Sequence, residues 1–298
     1  MGLRVDFLDG AHCALGESPL WDPAAQRLWW VDAVACRISS AAPDGSDPRS
    51  WDMPSTPGSI GLMQDGLVVA LADGFHSFDP ATGALAAIAR PAIGDGPIRF
   101  NDGKADRQGR FFSGTILTAE SGPDGTLWRL DVDGTTTCVE RGFRLANALC
   151  FSPAGDRLYF ADSLEGVVRS YVYDAQTGAL GAQAPLIDCR EHGSVPDGAT
   201  VDAEGNIWIA LVQAQAVLRV APDGRALDRI DMPMPYPSCP AFGGAALDTL
   251  YVTSISDSGH RLKSDHPDAG RIAVVKGLGT IGIAESRCLG GLRPAGAA

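Results

Sequence analysis

The sequence predicts an all-β fold, a six-bladed β-propeller with four-stranded antiparallel blades around a central channel. Three observations carry this expectation: a short apolar strand that recurs six times, a similar polar turn before each copy, and Pro or Gly in nearly every window long enough for a helix.

The recurring strands are RLWWVD at 27–32, GLVVAL at 66–71, RFFSGT at 110–115, RLYFAD at 157–162, NIWIAL at 206–211 and TLYVTS at 249–254. Between their first apolar residues, Leu28, Leu67, Phe111, Leu158, Ile207 and Leu250, the intervals are 39, 44, 47, 49 and 43. A repeat of about 40–50 residues with loops of varying length has the period of propeller blades. The turns that lead into these strands (DPAAQ, MQDG, DRQG, SPAGD, DAEG, GGAALD) hold residues suited to tight hairpins, so each joins two antiparallel strands. Downstream, FDPATGAL at 78–85, LDVDGTT at 130–136, YDAQTGAL at 173–180 and VAPDGRAL at 220–227 read as the outer hairpin of the same unit. A sandwich would also show evenly spaced short strands, but not the return of a whole four-strand unit. The N-terminal RVDFLD and C-terminal RIAVVKGL are both strand-like, and pairing them in one blade would close the ring and cover an open edge.

Six such units fill the chain, so residues 1–289 are expected to form one propeller domain and 290–298 a flexible tail. At 45% hydrophobic and 20% charged residues, the 298-residue chain is too apolar for disorder and long enough for a sizeable core. Its 24 basic and 36 acidic residues leave a net charge of −12, which repels phosphate backbones and anionic lipid. Nucleic acid and membrane are therefore not expected partners. Seven cysteines without a C-x-x-C pair, and no secretory signal or membrane span, point to a reduced, cytoplasmic protein. Oligomeric state is not legible.

If the repeats superpose, residues at equal distance before the aligned strand occupy equivalent places around the axis. Glu17, Asn101, Asn147 and Asp197 stand eleven, ten, eleven and ten residues before Leu28, Phe111, Leu158 and Ile207, and DPAAQ and SPAGD are one residue longer than DRQG and DAEG. Four blades thus carry an oxygen-bearing side chain at the start of the innermost strand, whereas the other two offer Pro57-Gly58 and Cys239-Pro240. Oxygen donors converging on a channel suit a divalent cation. Singly, each has a plainer reading: Asp197 in a Pro-Asp-Gly turn, Asn147 as a buried amide, Glu17 as a loop residue. Arg99 lies two residues before Asn101, where alternation puts both on one face, suited either to substrate oxygens or to the excess acid. The five histidines share no phase, and no Gly-x-Ser-x-Gly, phosphate-loop or dinucleotide motif is present.

The segments LGESPLWDPAAQRLWWVD, IRFNDGKADRQGRFFSGT, ANALCFSPAGDRLYFADS, VPDGATVDAEGNIWIA and CPAFGGAALDTLYVTS resemble the regucalcin, gluconolactonase and luciferin-regenerating enzyme family over about residues 12–255. The resemblance implies a six-bladed propeller with one divalent cation in its channel and hydrolysis of a sugar lactone. By position it implies Glu17, Asn147 and Asp197 as metal ligands, Asp197 also as general base, and Arg99 and Asn101 as contacts for substrate hydroxyls. Ser18 and Ala148 stand where the family often has Gly. Glu120 is the candidate substrate contact in GTILTAES, one residue beyond Ala119, where regucalcin carries its Glu; such a shift on a strand reverses side-chain direction.

The expected reaction is opening of a five- or six-membered aldonolactone, the cation polarising the carbonyl and Asp197 accepting a proton from water. Calcium, magnesium or manganese suit the oxygen donors best, and the set also admits zinc or iron(II). Two alternatives stay open: a paraoxonase-like, calcium-dependent arylesterase or organophosphatase with Asn101 as fourth ligand, and a calcium-binding scaffold without turnover.

Overall fold

A computed structural model describes residues 2–94, 96–117 and 124–288. They form six four-stranded antiparallel sheets, five of them built from consecutive strands. The innermost strands are Gly16–Asp22, Ser59–Met63, Ile98–Ala105, Ala146–Phe151, Pro196–Val201 and Pro237–Gly243, taken here as blades one to six. Blade six is completed by the N-terminal strand Arg4–His12, which pairs with Arg271–Lys276 from Arg4 opposite Lys276 to Phe7 opposite Ala273. Terminal pairing thus closes the ring as expected. Apart from one 3₁₀ turn at Cys189–His192, no helix occurs among the described residues, and none is long and apolar enough to cross a membrane.

The second strand of each blade is buried on both faces, which explains why RLWWVD, GLVVAL and NIWIAL read as continuous apolar runs rather than alternating ones. Their side chains fill the spaces between blades. Trp21 stacks on Tyr251 (6.1 Å) between blades one and six, Phe75 packs on Phe100 (4.8 Å) between two and three, and Trp208 meets Phe242 edge-on (5.6 Å) between five and six. Burying each such side chain contributes roughly 1.5–3 kcal/mol. Gly58 allows one of the closest approaches: a Cβ there would stand 2.4 Å from the carbonyl oxygen of Phe100.

The recurrent turns are fixed by their first residue. Asp106 Oδ1 accepts from the backbone N–H of Gln108 and Arg110 (2.9 and 2.8 Å), and Asp202 Oδ1 from Glu204 and Asn206 (3.0 and 2.9 Å). In blades one and four the equivalent turns span Asp22 to Arg27 and Ser152 to Arg157, one residue longer. This is the length difference that offsets the candidate residues in sequence.

Beyond the last strand, the chain crosses the base of the ring. Ala203 N–H donates to Ile281 O and Gly282 N–H to Leu247 O (2.8 and 2.7 Å). Arg287 then reaches Met63 O and Asp22 (both 2.6 Å), and Cys288 N–H donates to Leu62 O. Only glycine fits at 282, where a Cβ would meet that of Phe242 at 2.1 Å. Midway, Glu285 pairs with Lys104 of blade three at 3.1 Å, with the two side chains 12% and 10% exposed.

Candidate active site

One feature of the inner strands decides where the candidate residues point. In five blades three residues of the first strand oppose two of the second, giving the same bulge: between Glu17 and Leu20, Phe100 and Gly103, Asn147 and Cys150, Pro196 and Ala199, and Pro237 and Pro240. Glu17 and Asn147 are the last paired residues before it, and Asn101 and Asp197 the first within it. A bulge bends its strand and re-aims a side chain. Backbone geometry records the cost, since Ser18 and Ala148, just after Glu17 and Asn147, hold φ of 48° and 53°, a region that favours glycine. Blade two keeps a regular register from Ser59 opposite Ala70 to Met63 opposite Gly66 and contributes no oxygen donor at this level.

Buried carboxylates brace the segments before two of these bulges. Asp32 accepts from the backbone N–H of Ala14 and Leu15 (2.8 and 3.2 Å), and Asp162 accepts from Arg144 and Leu145 (3.0 and 3.2 Å). Both end an aligned strand, WVD and FAD, and each fixes the two residues that lie three and two places before Glu17 or Asn147.

Glu17, Arg99, Asn101, Asn147 and Asp197 all line one cavity of about 230 Å³ at the mouth of the channel. Five of the six residues named from the sequence therefore converge from four blades. Glu120 lies outside the described residues. A hydrogen-bonded chain links blades three, four and five: Arg99 donates to Asn101 Oδ1 (3.0 Å), Asn101 Nδ2 to Asn147 Oδ1 (3.0 Å), Asn147 Nδ2 to Ser163 Oγ (2.8 Å), and Ser163 Oγ to Pro196 O (2.7 Å). Ser163 was not singled out in the sequence, although it follows the aligned Asp162. Asn101 Nδ2 also donates to Ala146 O at 2.9 Å, so its N–H groups serve the protein. Its oxygen accepts from Arg99 and has a second lone pair available.

The charges explain what this arrangement lacks. Burial pushes the Glu17 carboxyl well above the usual carboxylate range, and the charges of Asp197 and Asp102 push it further, against only Arg99 and a backbone N–H. The Asp197 carboxyl is raised by burial and by Asp102, opposed only by the Gly198 N–H. Of the guanidiniums lining the cavity only Arg99 acts on these two buried carboxylates, Arg144 and Arg261 being exposed, so a divalent cation between the carboxylates would offset their charge. With the Asn147 amide the donors are all oxygen, and among the described residues no three His, Cys, Asp or Glu side chains gather into a metal cluster. At the blade-six position, burial raises the Cys239 thiol well above its ordinary value, so it stays protonated and supplies no thiolate. Glu17, Asn147 and Asp197 fit a hard or borderline cation.

The wall is apolar: Leu15, Leu145, Leu164, Val212 and Ile255 surround the polar floor. The loop after Thr249–Ser254 adds His260, Arg261 and Leu262, none of which sequence reasoning selected, because no repeat phase marks an insertion in one blade.

The family model for the SMP-30/Gluconolactonase/LRE-like region matches residues 15–256. Pentonolactonase XacC of Haloferax volcanii is 37% identical over 86% of this chain and 87% of its own. The 6-deoxy-6-sulfogluconolactonase of Pseudomonas putida is 36% identical over 80% of this chain and 83% of its own. Among solved structures, the calcium-binding protein regucalcin from Agrobacterium tumefaciens superposes with a TM-score of 0.89 at 27% identity, covering 96% of this chain and 97% of that one. With the repeat, the closed ring and the family match in agreement, the chain belongs to the SMP-30/gluconolactonase/LRE-like family.

Proposed function

We propose that this protein is a divalent-cation-dependent sugar lactonase, which opens a five- or six-membered aldonolactone to the aldonic acid. The observation that carries the reading is the convergence of Glu17, Asn147 and Asp197, with Arg99 and Asn101 beside them, on one apolar-walled cavity. The lactonase names of the two relatives support it. Held by Glu17, Asn147 and Asp197, the cation would supply a Lewis acid for the lactone carbonyl.

The chain's own groups do the rest. Asp197 accepts a proton from the attacking water. Arg99, held by Asn101 and by Phe100 O (2.9 Å), presents its remaining N–H groups to substrate hydroxyls. Asn101 accepts from a hydroxyl through Oδ1. The chain from Asn101 through Asn147 to Ser163 fixes the Asn147 amide, whose Nδ2 donates to Ser163 Oγ and whose Oδ1 accepts from Asn101 Nδ2. In the reaction the water oxygen bonds to the carbonyl carbon, the ring C–O bond breaks, and the ring oxygen leaves as a hydroxyl. At neutral pH the acid formed ionises and releases one proton. Seven cysteines, all free thiols, support a reducing, cytoplasmic setting.

The test is a pH-indicator assay on pentono- and hexonolactones, with metal-stripped protein and each cation restored in turn. Asp197→Ala is expected to lower kcat by about 10²–10⁴, the range of a lost general base. Full activity and full cation binding in that variant would refute the assignment.

A further inference from the structure

The ionisable residues lining the cavity do not balance. Among the described residues, Glu17 and Asp197 are its acids, while Arg99, Arg144 and Arg261 are its strong bases, with His260 beside Arg261. A divalent cation between the two carboxylates would leave three guanidinium charges without a counter-charge, in a protein of net charge −12.

Most other described arginines face carboxylates, as Arg27 meets Asp47 at 2.6 Å, Arg110 meets Asp106 at 2.9 Å, and Arg219 meets Asp202 at 2.8 Å, and the exceptions Arg107, Arg141, Arg157 and Arg225 lie outside the cavity. Arg144 and Arg261 are both exposed, and neither has an ion pair among the described residues. The nearby acids are already engaged. Asp162 accepts from the backbone N–H of Arg144, Leu145 and Leu164, and Asp257 is paired with Lys263 at 2.8 Å. Both arginines also sit on braced backbone. The Arg144 N–H is held by Asp162, and the Arg261 turn is pinned by Ser258 Oγ, which accepts from Arg261 and Leu262 N–H (3.1 and 2.8 Å). Two guanidiniums on braced backbone at the mouth of a site, without an ion pair among the described residues, suit an anionic oxygen group.

We propose that Arg144 and Arg261 form an anion subsite, and that the preferred lactones carry a second anionic group, a carboxylate, sulfonate or phosphate, remote from the reacting carbonyl. The inference rests on the lactonase reading and specifies its substrate class. Arg99 serves the hydroxyls near the reacting end, and the rim arginines hold the far end.

The experiment compares glucaro-1,4-lactone, which bears a carboxylate, and 6-phosphoglucono-1,5-lactone, generated in situ, with neutral galactono-1,4-lactone and glucono-1,5-lactone of matching ring size. The proteins are cation-loaded wild type, the Arg144→Ala/Arg261→Ala double variant, its Lys/Lys counterpart, and an Arg225→Ala control outside the cavity. For wild type and control, kcat/KM on at least one anionic lactone should exceed that on its neutral match by about tenfold or more, and the double Ala variant should lose most of that ratio, the size of one or two charge-assisted contacts. Lys/Lys should recover part of it, and added salt should erode it. The two anionic arms separate carboxylate from phosphate preference.

A calorimetric arm needs no turnover: glucarate should bind about tenfold or more tightly than gluconate in wild type and lose that advantage in the double Ala variant. If no lactone is hydrolysed but glucarate still binds through the two arginines, the lactonase reading falls and the anion subsite stands. If neutral lactones are hydrolysed as well as anionic ones and the two acids bind alike, the subsite is refuted and the lactonase reading stands.

Discussion

Removing the charge of Glu285 tests whether the C-terminal crossing segment seals the channel base. Glu285 and Lys104 are 3.1 Å apart and nearly buried, and this pair is the ionic tie between residues 277–288 and blade three, beside the apolar packing of Cys288. At an effective dielectric constant of about 20, the pair's attraction is roughly 5 kcal/mol before desolvation. Glu285→Gln would leave a buried ammonium with a weakened partner, a change that typically costs about 3–5 kcal/mol. Asp102 also faces Lys104, so the lower end, about 3 kcal/mol, is expected. With an unfolding entropy of roughly 2.1 cal/mol/K per residue, a chain of 298 residues would show a melting point lower by about 5 °C. Thermal unfolding by circular dichroism measures this. The Lys104→Met/Glu285→Leu double variant, which removes both charges, should return to within about 2 °C of wild type. A Glu285→Gln protein that melts within 1 °C of wild type would show that the segment does not rely on this pair.

Three other outcomes are expected. The Asp102 carboxyl is pushed up to about 6 by burial, so Asp102 favours the folded state fully below its unfolded value of about 3.9, and that contribution is lost as pH rises toward 6. Asp102→Asn keeps an acceptor for the Leu149 N–H and should raise the melting point of metal-stripped protein at pH 8 but not at pH 4; equal shifts at both would contradict the cause given. Ser163→Ala cuts the link between Asn147 and Pro196 and should weaken cation binding by about 10–100-fold in a calorimetric titration, with little change in melting point before metal is added. Ala148→Gly removes a left-handed strain of roughly 1 kcal/mol and should stabilise the protein, whereas Ser18→Gly also loses the acceptor of the Ile60 N–H and should be near neutral. A gain at Ser18 matching that at Ala148 would show that this hydrogen bond contributes nothing.

The repeat made most of the fold legible, because each blade must present an apolar second strand to two neighbours, and that demand writes Leu28, Leu158 and Ile207 into the same phase. The same symmetry carried Glu17, Asn101, Asn147 and Asp197 onto one cavity, since the bulge recurs wherever they occur. Turn lengths, read as a one-residue offset, were also visible. What symmetry does not repeat was not. Ser163 acts through a hydrogen bond to a backbone carbonyl, which leaves no pattern of its own. Arg261 belongs to a loop found in one blade, and Glu285 to a segment that pairs across the base rather than along a blade. The bracing carboxylates Asp32 and Asp162 were within reach, because both stand four residues after the aligned Leu28 and Leu158.

Calorimetric titration of metal-stripped protein with calcium or manganese tests the central assignment most directly. One cation per chain should bind in wild type, and Glu17→Gln and Asp197→Asn, both nearly isosteric and with circular dichroism unchanged, should each lower that affinity by about a hundredfold or more, as expected when one of two charged ligands is lost. Binding of equal strength in wild type and both variants would place the cation elsewhere and remove the basis of the lactonase proposal.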